Sequence, residues 1–330
     1  MIKVGIMGCA NIAKRSLIPA FAKHSSFEVV AIASRTPEKA AELAAQYNCR
    51  ACDYDGLLAT PDVELIYCPL PTGLHYEWVK KSLLAGKHVL CEKSLACNYD
   101  EAKDLVETAR RNKRFLMESF QFRFHAQNLY VKELLAKDAI GPLRQVVVRF
   151  GIPPFPEGAK NIRYSAALGG GALLDNGAYT VKCTTYLLGD DVKVLAAMEG
   201  GATPELGDVN IMGSMMLQAQ SSHLLNPSTS QPIPVQTAYG FDHFYQNSYE
   251  IWGKDGKIST VRAFTAREDF AAPVILETKA GKEVKTFNDD HFARLMDYLS
   301  KAIPSGEYES EYNECLIQSK LLQEVSNYLA

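Results

Sequence analysis

An apolar segment at residues 3–7 (Lys-Val-Gly-Ile-Met) runs directly into Gly8-Cys9-Ala10-Asn11-Ile12-Ala13, and a helical pattern continues to residue 23. A strand that turns through glycine into a helix constrains the fold more than composition does. It points to a βαβ unit, in which the next strand lies parallel to the first. Written from Gly8 the turn is G-x-A-x-x-A, close to the G-x-G-x-x-G/A pattern of pyrophosphate-binding turns. Gly8 supplies the tight turn, and Ala13 is small enough where the helix packs on the strand. Ala10 departs from the pattern, because its methyl group must fit where the backbone approaches a phosphate. Free backbone N–H groups and the positive end of the helix dipole suit a dianionic linker. Gly8, Cys9, Ala10, Asn11 and Ile12 are therefore the candidate residues for it.

The second strand, residues 27–33, ends in Ser34-Arg35. An NAD site carries an Asp or Glu about 20 residues beyond the glycine turn, bound to the ribose 2′-OH. A hydroxyl with a guanidinium would instead hold a 2′-phosphate, which a carboxylate would repel. Ser34 and Arg35 thus point to NADP(H), against the plain alternative that Arg35 is a solvated loop residue.

Further strands are expected at 63–68, 88–91 and 115–118, with helices over 37–47 and 74–84 and a helix capped by Asn98, with Glu101 in capping-box spacing. This alternation is that of a parallel sheet covered by helices. From Leu143 the texture changes. QVVVRF and the segments 193–199, 207–217, 245–252, 257–263, 273–278 and 283–287 look like strands with few helices between them. They suggest an antiparallel or mixed sheet in an α+β second domain. At 330 residues two domains are expected, 1–120 and 121–330, with a loop over 226–236 and a last helix over 312–329 that could pack back on the first.

A formal charge of −3 argues against a nucleic-acid partner, and no apolar run is long enough to span a bilayer. The N-terminus does not resemble a signal peptide, so a cytoplasmic protein with reduced cysteines is expected. Cys49-x-x-Cys52 stands alone without a second pair or histidines at zinc spacing, and no metal is expected.

Several segments together resemble the Gfo/Idh/MocA family, named for glucose–fructose oxidoreductase and inositol dehydrogenase. They are GCANIA at 8–13, CPLPTGLHYEW at 68–78, GKHVLCEKSL at 86–95, MESFQFRFH at 117–125 and GGGALLDNGAYTV at 169–181. IPPFP at 152–156, NIRY at 161–164 and VRAFT at 261–265 look most like its NDP-hexose 3-ketoreductases. The resemblance implies a Rossmann domain followed by an α+β domain whose open, mostly antiparallel sheet often forms an oligomer interface, so a homodimer or homotetramer is expected. It also implies a catalytic site at the domain junction. Lys93 occupies the family's Glu-Lys-Pro position, where Ser94 replaces proline, and Tyr179 stands where sugar ketoreductases carry tyrosine. The loop with Leu70 and His75 is implied to lie against the cofactor, Glu92 to position Lys93 or the nicotinamide ribose, and Arg163 to approach the nicotinamide end.

Hydride delivery to a ketone builds negative charge on oxygen and needs a proton donor. Tyr179 can be that donor, and a neighbouring ammonium such as Lys93 would make it a better acid. Asp175, one helical turn before Tyr179, would meet a substrate hydroxyl or Lys93. Alone, each residue has a bland reading: Lys93 a surface charge, Tyr179 a core residue. The aromatic run Phe241, Phe244, Tyr245 and Tyr249 fits a sugar site or core packing equally. The function implied is NADPH-dependent reduction of a keto group on a sugar or sugar nucleotide. The competing readings are an NADP-dependent aldose or trans-dihydrodiol dehydrogenase and a non-catalytic NADP-binding regulator.

Overall fold

The computed structural model describes residues 1–201, 209–220, 226 and 228–329. The chain forms two compact units, Met1–Ser119 with Phe292–Ser319, and Phe120–His291 with Lys320–Ala330.

In the first unit, strands β1 (Ile2–Met7), β2 (Phe27–Ala33), β3 (Arg50–Cys52), β4 (Leu65–Cys68), β5 (His88–Glu92) and β6 (Leu116–Ser119) are all parallel. Their order is β3-β2-β1-β4-β5-β6. The chain winds outward from β1 in both directions. The turns after β1 and β4 therefore part at a switch point, leaving a crevice at the strand C-terminal ends where such sheets bind ligands. Strands covered on both faces are apolar throughout, and Leu65, Ile66, Tyr67 and Cys68 of β4 are all buried.

Between them run α1 (Ile18–Lys23), α2 (Pro37–Gln46), α3 (Tyr54–Ala59), α4 (His75–Leu84) and α5 (Tyr99–Asn112). The helical path before α1 starts at Asn11, and Ala13–Leu17 is wound as a π-turn, a geometry frequent at functional sites. Asn98 caps α5 as the sequence indicates. Its Oδ1 accepts from the Glu101 N–H at 2.9 Å, and Glu101 Oε2 accepts from the Cys97 N–H at 3.1 Å. Strand β3 and helix α3 were not expected. β3 is three largely uncovered residues with no apolar run to mark it, and α3 rests on a cap at Asp53, which accepts from the Gly56 N–H at 2.7 Å.

In the second unit an eight-stranded sheet is built from β7 (Leu143–Gly151), β8 (Val192–Gly200), β9 (Met212–Ala219), β10 (Ile233–Gly240), β11 (Gln246–Gly253), β12 (Gly256–Thr260), β13 (Ala272–Thr278) and β14 (Gly281–Phe287). The order is β14-β13-β12-β11-β7-β10-β9-β8. β7 and β10 pair parallel and the remaining pairs are antiparallel. Helix α6 (Ala126–Ala136) lies on β13 and β14, and α7 (Ala178–Leu188) on β7 and β10. By strand alternation the opposite face carries the exposed side chains of Met216, Trp252 and Val284.

Three expectations need correction here. The loop over 226–236 ends earlier, because β10 begins at Ile233 and buries Ile233, Val235, Thr237 and Tyr239 in strict alternation. Its prolines were the misleading signal, since Pro234 falls on the exposed phase of that strand. The strand expected over 207–217 starts at Met212, and 207–208 lie outside the described residues, as do 221–225 and 227 of the loop region. The strand over 257–263 stops at Thr260, and Arg262 then turns through φ +52°.

Two further helices were missed. The N-cap of α6 is His125, whose Nδ1 accepts from the Gln127 N–H at 3.1 Å, so no Ser, Thr, Asn or Asp announced it. The other is α8 (His291–Ser305). The last helix, α9 (Glu309–Leu329), starts before residue 312. Within the first unit, Arg110 grips Glu309 with two hydrogen bonds of 2.9 and 2.8 Å, and the Tyr312 hydroxyl donates to the Arg114 carbonyl. Among the described residues no helix is long and apolar enough to cross a membrane.

Candidate active site

In the first unit the candidate residues gather on the turns after β1, β2, β4 and β5. Gly8 adopts φ +124°, which only glycine takes readily, and its N–H donates to the Ala33 carbonyl at 2.9 Å. A Cβ added at Gly8 would come within 3.0 Å of Leu70 Cδ2, so the tip of the Leu70 side chain reaches the glycine turn. Cys9, Ala10 and Ile12 are half-buried and Asn11 is exposed, leaving the turn accessible. The methyl of Ala10 is accommodated without losing the turn into the helix, whose Lys14 N–H reaches the Ala10 carbonyl at 3.1 Å.

At the end of β2, Ser34 is buried and its Oγ accepts from the Thr36 N–H at 3.1 Å, while Arg35 is exposed. Among the described residues no carboxylate forms an ion pair with Arg35.

Glu92, the last residue of β5, is buried with Oε1 accepting from the Tyr67 hydroxyl at 2.8 Å. Burial raises its pKa; Tyr67, Lys93 and Ser119 pull the other way. One of its oxygens is thus spent inside the sheet on Tyr67, a partner the sequence did not suggest. Lys93 follows, half-buried, and the Lys93–Ser94 peptide bond is cis. Ser94 is buried, and the next N–H, of Leu95, donates to Glu118 Oε1 at 2.9 Å.

His75 is fully buried, with Nδ1 2.7 Å from the Ser94 carbonyl oxygen and Nε2 2.7 Å from that of Leu70. Burial lowers its pKa, opposed by those two carbonyls. Both ring nitrogens therefore face backbone carbonyls within the first unit.

Cys68 and Cys91 face each other across β4 and β5, and their sulfurs and a His75 nitrogen lie within 4.8 Å of one another. Three soft donors could hold a metal. Here both ring nitrogens already serve carbonyls, and burial keeps the Cys91 thiol protonated. In the Cys49–Cys52 pair, burial pushes the Cys49 thiol up to about 11, unsuited to thiolate chemistry.

In the second unit Tyr179 lies in the first turn of α7, preceded by a π-turn over Leu173–Gly177 that contains Asp175. Gly169 and Gly171, at φ +70° and +104°, let the chain turn into this helix. The Tyr179 ring is 6% exposed and is boxed by Phe120, Phe122, Phe150 and Phe264 at centroid distances of 5.1–6.0 Å. The phenol is thereby held by packing.

Asp175 forms an ion pair with Arg163 Nε, and the Arg163 guanidinium sits 4.7 Å above the Phe155 ring. Burial lowers the Arg163 pKa, and attraction to Tyr179 opposes the shift. The fold therefore brings Arg163, Asp175 and Tyr179 together, a trio the sequence reading had given separate tasks.

Asn176 was missed. It is buried, and its Nδ2 donates to the carbonyls of Phe150 at 3.2 Å and Gly240 at 3.0 Å, tying the π-turn to β7 and β10. Its place between Asp175 and Gly177 was the available signal. The aromatic run divides: Phe241 and Tyr249 are core, Tyr245 is half-buried and Phe244 is 89% exposed.

A doubly wound parallel sheet with its open turns at the switch point, joined in sequence to a sheet domain bearing a packed tyrosine, defines a nicotinamide-nucleotide oxidoreductase. Residues 2–120 match the oxidoreductase family with an NAD-binding Rossmann fold, and residues 128–259 match the GFO/IDH/MocA C-terminal domain. The chain belongs to the Gfo/Idh/MocA family.

It is 39% identical over 279 residues to dTDP-3,4-didehydro-2,6-dideoxy-alpha-D-glucose 3-reductase of Saccharopolyspora spinosa, covering 84% of this chain and 80% of that protein. The enzyme of the same name from Actinomadura kijaniata is 35% identical over 327 residues, 98% of this chain and 94% of the other. A solved structure of a 3-ketoreductase from Actinomadura kijaniata, in complex with NADP and TDP-benzene, superposes with a TM-score of 0.90 at 34% identity. It covers 99% of this chain and 98% of that one.

Proposed function

We propose that this protein is an NADPH-dependent reductase of a keto group on a nucleotide-linked sugar. The observation that carries the reading is full-length similarity, in sequence and fold, to 3-ketoreductases of dTDP-linked sugars, one of them solved with NADP and TDP-benzene. The Ser34-Arg35 pair, with no carboxylate at the end of β2, supports the preference for NADPH.

When bound, the reduced nicotinamide supplies the hydride. The phosphate turn Gly8–Ile12 and the Leu70 turn hold the dinucleotide, with Glu92 and Arg163 toward its nicotinamide end. The Tyr179 hydroxyl donates its proton to the substrate oxygen as charge develops there, and the Lys93 ammonium stabilises that oxygen. Asp175, held by Arg163, offers an acceptor for a substrate hydroxyl.

We further take the protein to work in the cytoplasm, since all eight cysteines are free thiols. A homodimer or homotetramer would cover Met216, Trp252 and Val284 on the open sheet face.

The test is a panel of dTDP-linked 3-keto-sugars, free aldoses and cyclic trans-diols, each assayed with both cofactors. Reduction of the keto-sugar with NADPH at the highest kcat/KM is expected. Turnover of aldoses or diols alone overturns the reading in favour of a dehydrogenase, and tight NADPH binding without turnover of any of them in favour of a regulator.

A further inference from the structure

We infer that His75 is a positioning residue that sets Lys93 and the cofactor turn at a fixed separation. The inference rests on the role proposed for Lys93.

The turns after β4 and β5 leave neighbouring strands, and one rigid ring spans them. Its Nδ1 lies 2.7 Å from the Ser94 carbonyl oxygen and its Nε2 2.7 Å from that of Leu70; the neutral ring donates to one of them, and the imidazolium donates to both. An imidazole has no internal torsion, so the two contacts act as a spacer of constant length. Ser94 adjoins Lys93 along the chain, and its carbonyl is the atom held. Leu70 is the residue whose side-chain tip reaches the glycine turn, so its carbonyl fixes the wall of the phosphate turn. His75 opens α4, and its imidazole is fully buried, so the spacer is anchored in the domain core. With both nitrogens facing carbonyls, it has no further nitrogen to offer a substrate or a metal, which leaves geometry as its contribution. Displacing a reacting group by about 1 Å costs on the order of a hundredfold in rate, enough to make such a spacer matter.

Amide side chains can separate the two contacts. In His75→Asn the amide nitrogen takes the place of Nδ1 and keeps the Ser94 bond while losing Leu70. In His75→Gln it takes the place of Nε2 and keeps the Leu70 bond while losing Ser94.

The experiment measures kcat with a dTDP-linked 3-keto-sugar, the NADPH dissociation constant and Tm for both variants, for Lys93→Ala and for Lys93→Ala/His75→Gln. We expect His75→Gln to lower kcat roughly 10- to 100-fold with little change in NADPH binding. We expect His75→Asn to weaken NADPH binding by about 2- to 10-fold, the worth of one hydrogen bond, with kcat near that of the parent. In the Lys93→Ala background His75→Gln should cost no further kcat.

A matched fall in Tm for both variants with kcat and NADPH binding unchanged would overturn the inference and leave a structural role alone. So would a kcat loss from His75→Gln that multiplies with that of Lys93→Ala. If Lys93→Ala is itself fully active, the role of Lys93 falls and this inference with it; the other results leave that role standing.

Discussion

Replacing Arg35 with Asp should reverse the cofactor preference, and the structure indicates by how much. Arg35 is exposed at the end of β2, and among the described residues no carboxylate competes for it. Its guanidinium therefore comes to a 2′-phosphate without first breaking an ion pair. Ser34 stands beside it, buried, with its Oγ accepting from the Thr36 N–H. A hydrogen bond to a charged group is worth about 1.5–3 kcal/mol, so loss of the guanidinium alone predicts a fall of roughly 10- to 150-fold in kcat/KM for NADPH. The new carboxylate adds repulsion of the 2′-phosphate, and it supplies the acceptor that the NADH ribose 2′-OH lacks in the parent. The ratio of kcat/KM for NADPH to that for NADH should therefore fall by more than either single effect. Measuring both constants on one substrate, in low and in moderate salt, checks this, because a charge-based preference weakens as salt rises. An unchanged ratio would refute the 2′-phosphate reading of Ser34-Arg35.

Tyr179→Phe and Lys93→Ala should each lower kcat by roughly 10²–10⁴-fold, with NADPH affinity nearly unchanged in the tyrosine variant; steady-state kinetics and a binding titration separate the two effects. Asn176→Leu should cost about 2–3 kcal/mol, because the Phe150 and Gly240 carbonyls both lose a buried donor, and the urea midpoint at constant m reads this directly. Burial and the neighbouring His125 hold His291 down to about 4, below its unfolded value near 6.5. The unfolded chain then binds the extra proton between those values. Stability is full above about pH 6.5 and falls by up to about 3 kcal/mol as pH drops toward 4. His291→Phe should flatten that part of the pH–stability curve, and an unaltered slope would count against the assignment.

The first unit was legible almost strand by strand because its signals are local. Apolar runs such as Leu65–Cys68 mark strands buried on both faces, and Gly8 and Asn98 mark turn and cap by residue type. β3 escaped because an edge strand of three residues buries too little to need an apolar run. The second unit was legible only as a class. β10 pairs in parallel with β7, far back in the sequence, and the prolines around it read as a loop when judged by type alone. What decides a proline's place in a sheet is the phase of the strand, and phase is set by partners that local pattern does not contain.

The candidate site divides along the same physical line. Gly8 and Arg35 stood out by residue type and place, whereas Lys93 and Tyr179 were singled out by the family resemblance, and the roles of all four remain those we propose. Their supporting contacts could not be picked from the chain. Glu92 pairs with Tyr67 and His75 spans Leu70 and Ser94, each across strand ends brought together only by folding. A buried polar side chain must satisfy its hydrogen bonds somewhere, and sequence shows the need without the partner. His75 looked like a polar residue at a helix start beside a cofactor loop; folding adds the Leu70 and Ser94 carbonyls it faces, from which we infer a spacer. Asp175 looked free to meet a substrate or Lys93, yet Arg163 takes it first. In the role proposed for Asp175, a substrate hydroxyl would meet a carboxylate already paired with a guanidinium. Such a carboxylate is pre-oriented but already partly neutralised, and it should discriminate among sugars by the position of a hydroxyl more than by the strength of the bond.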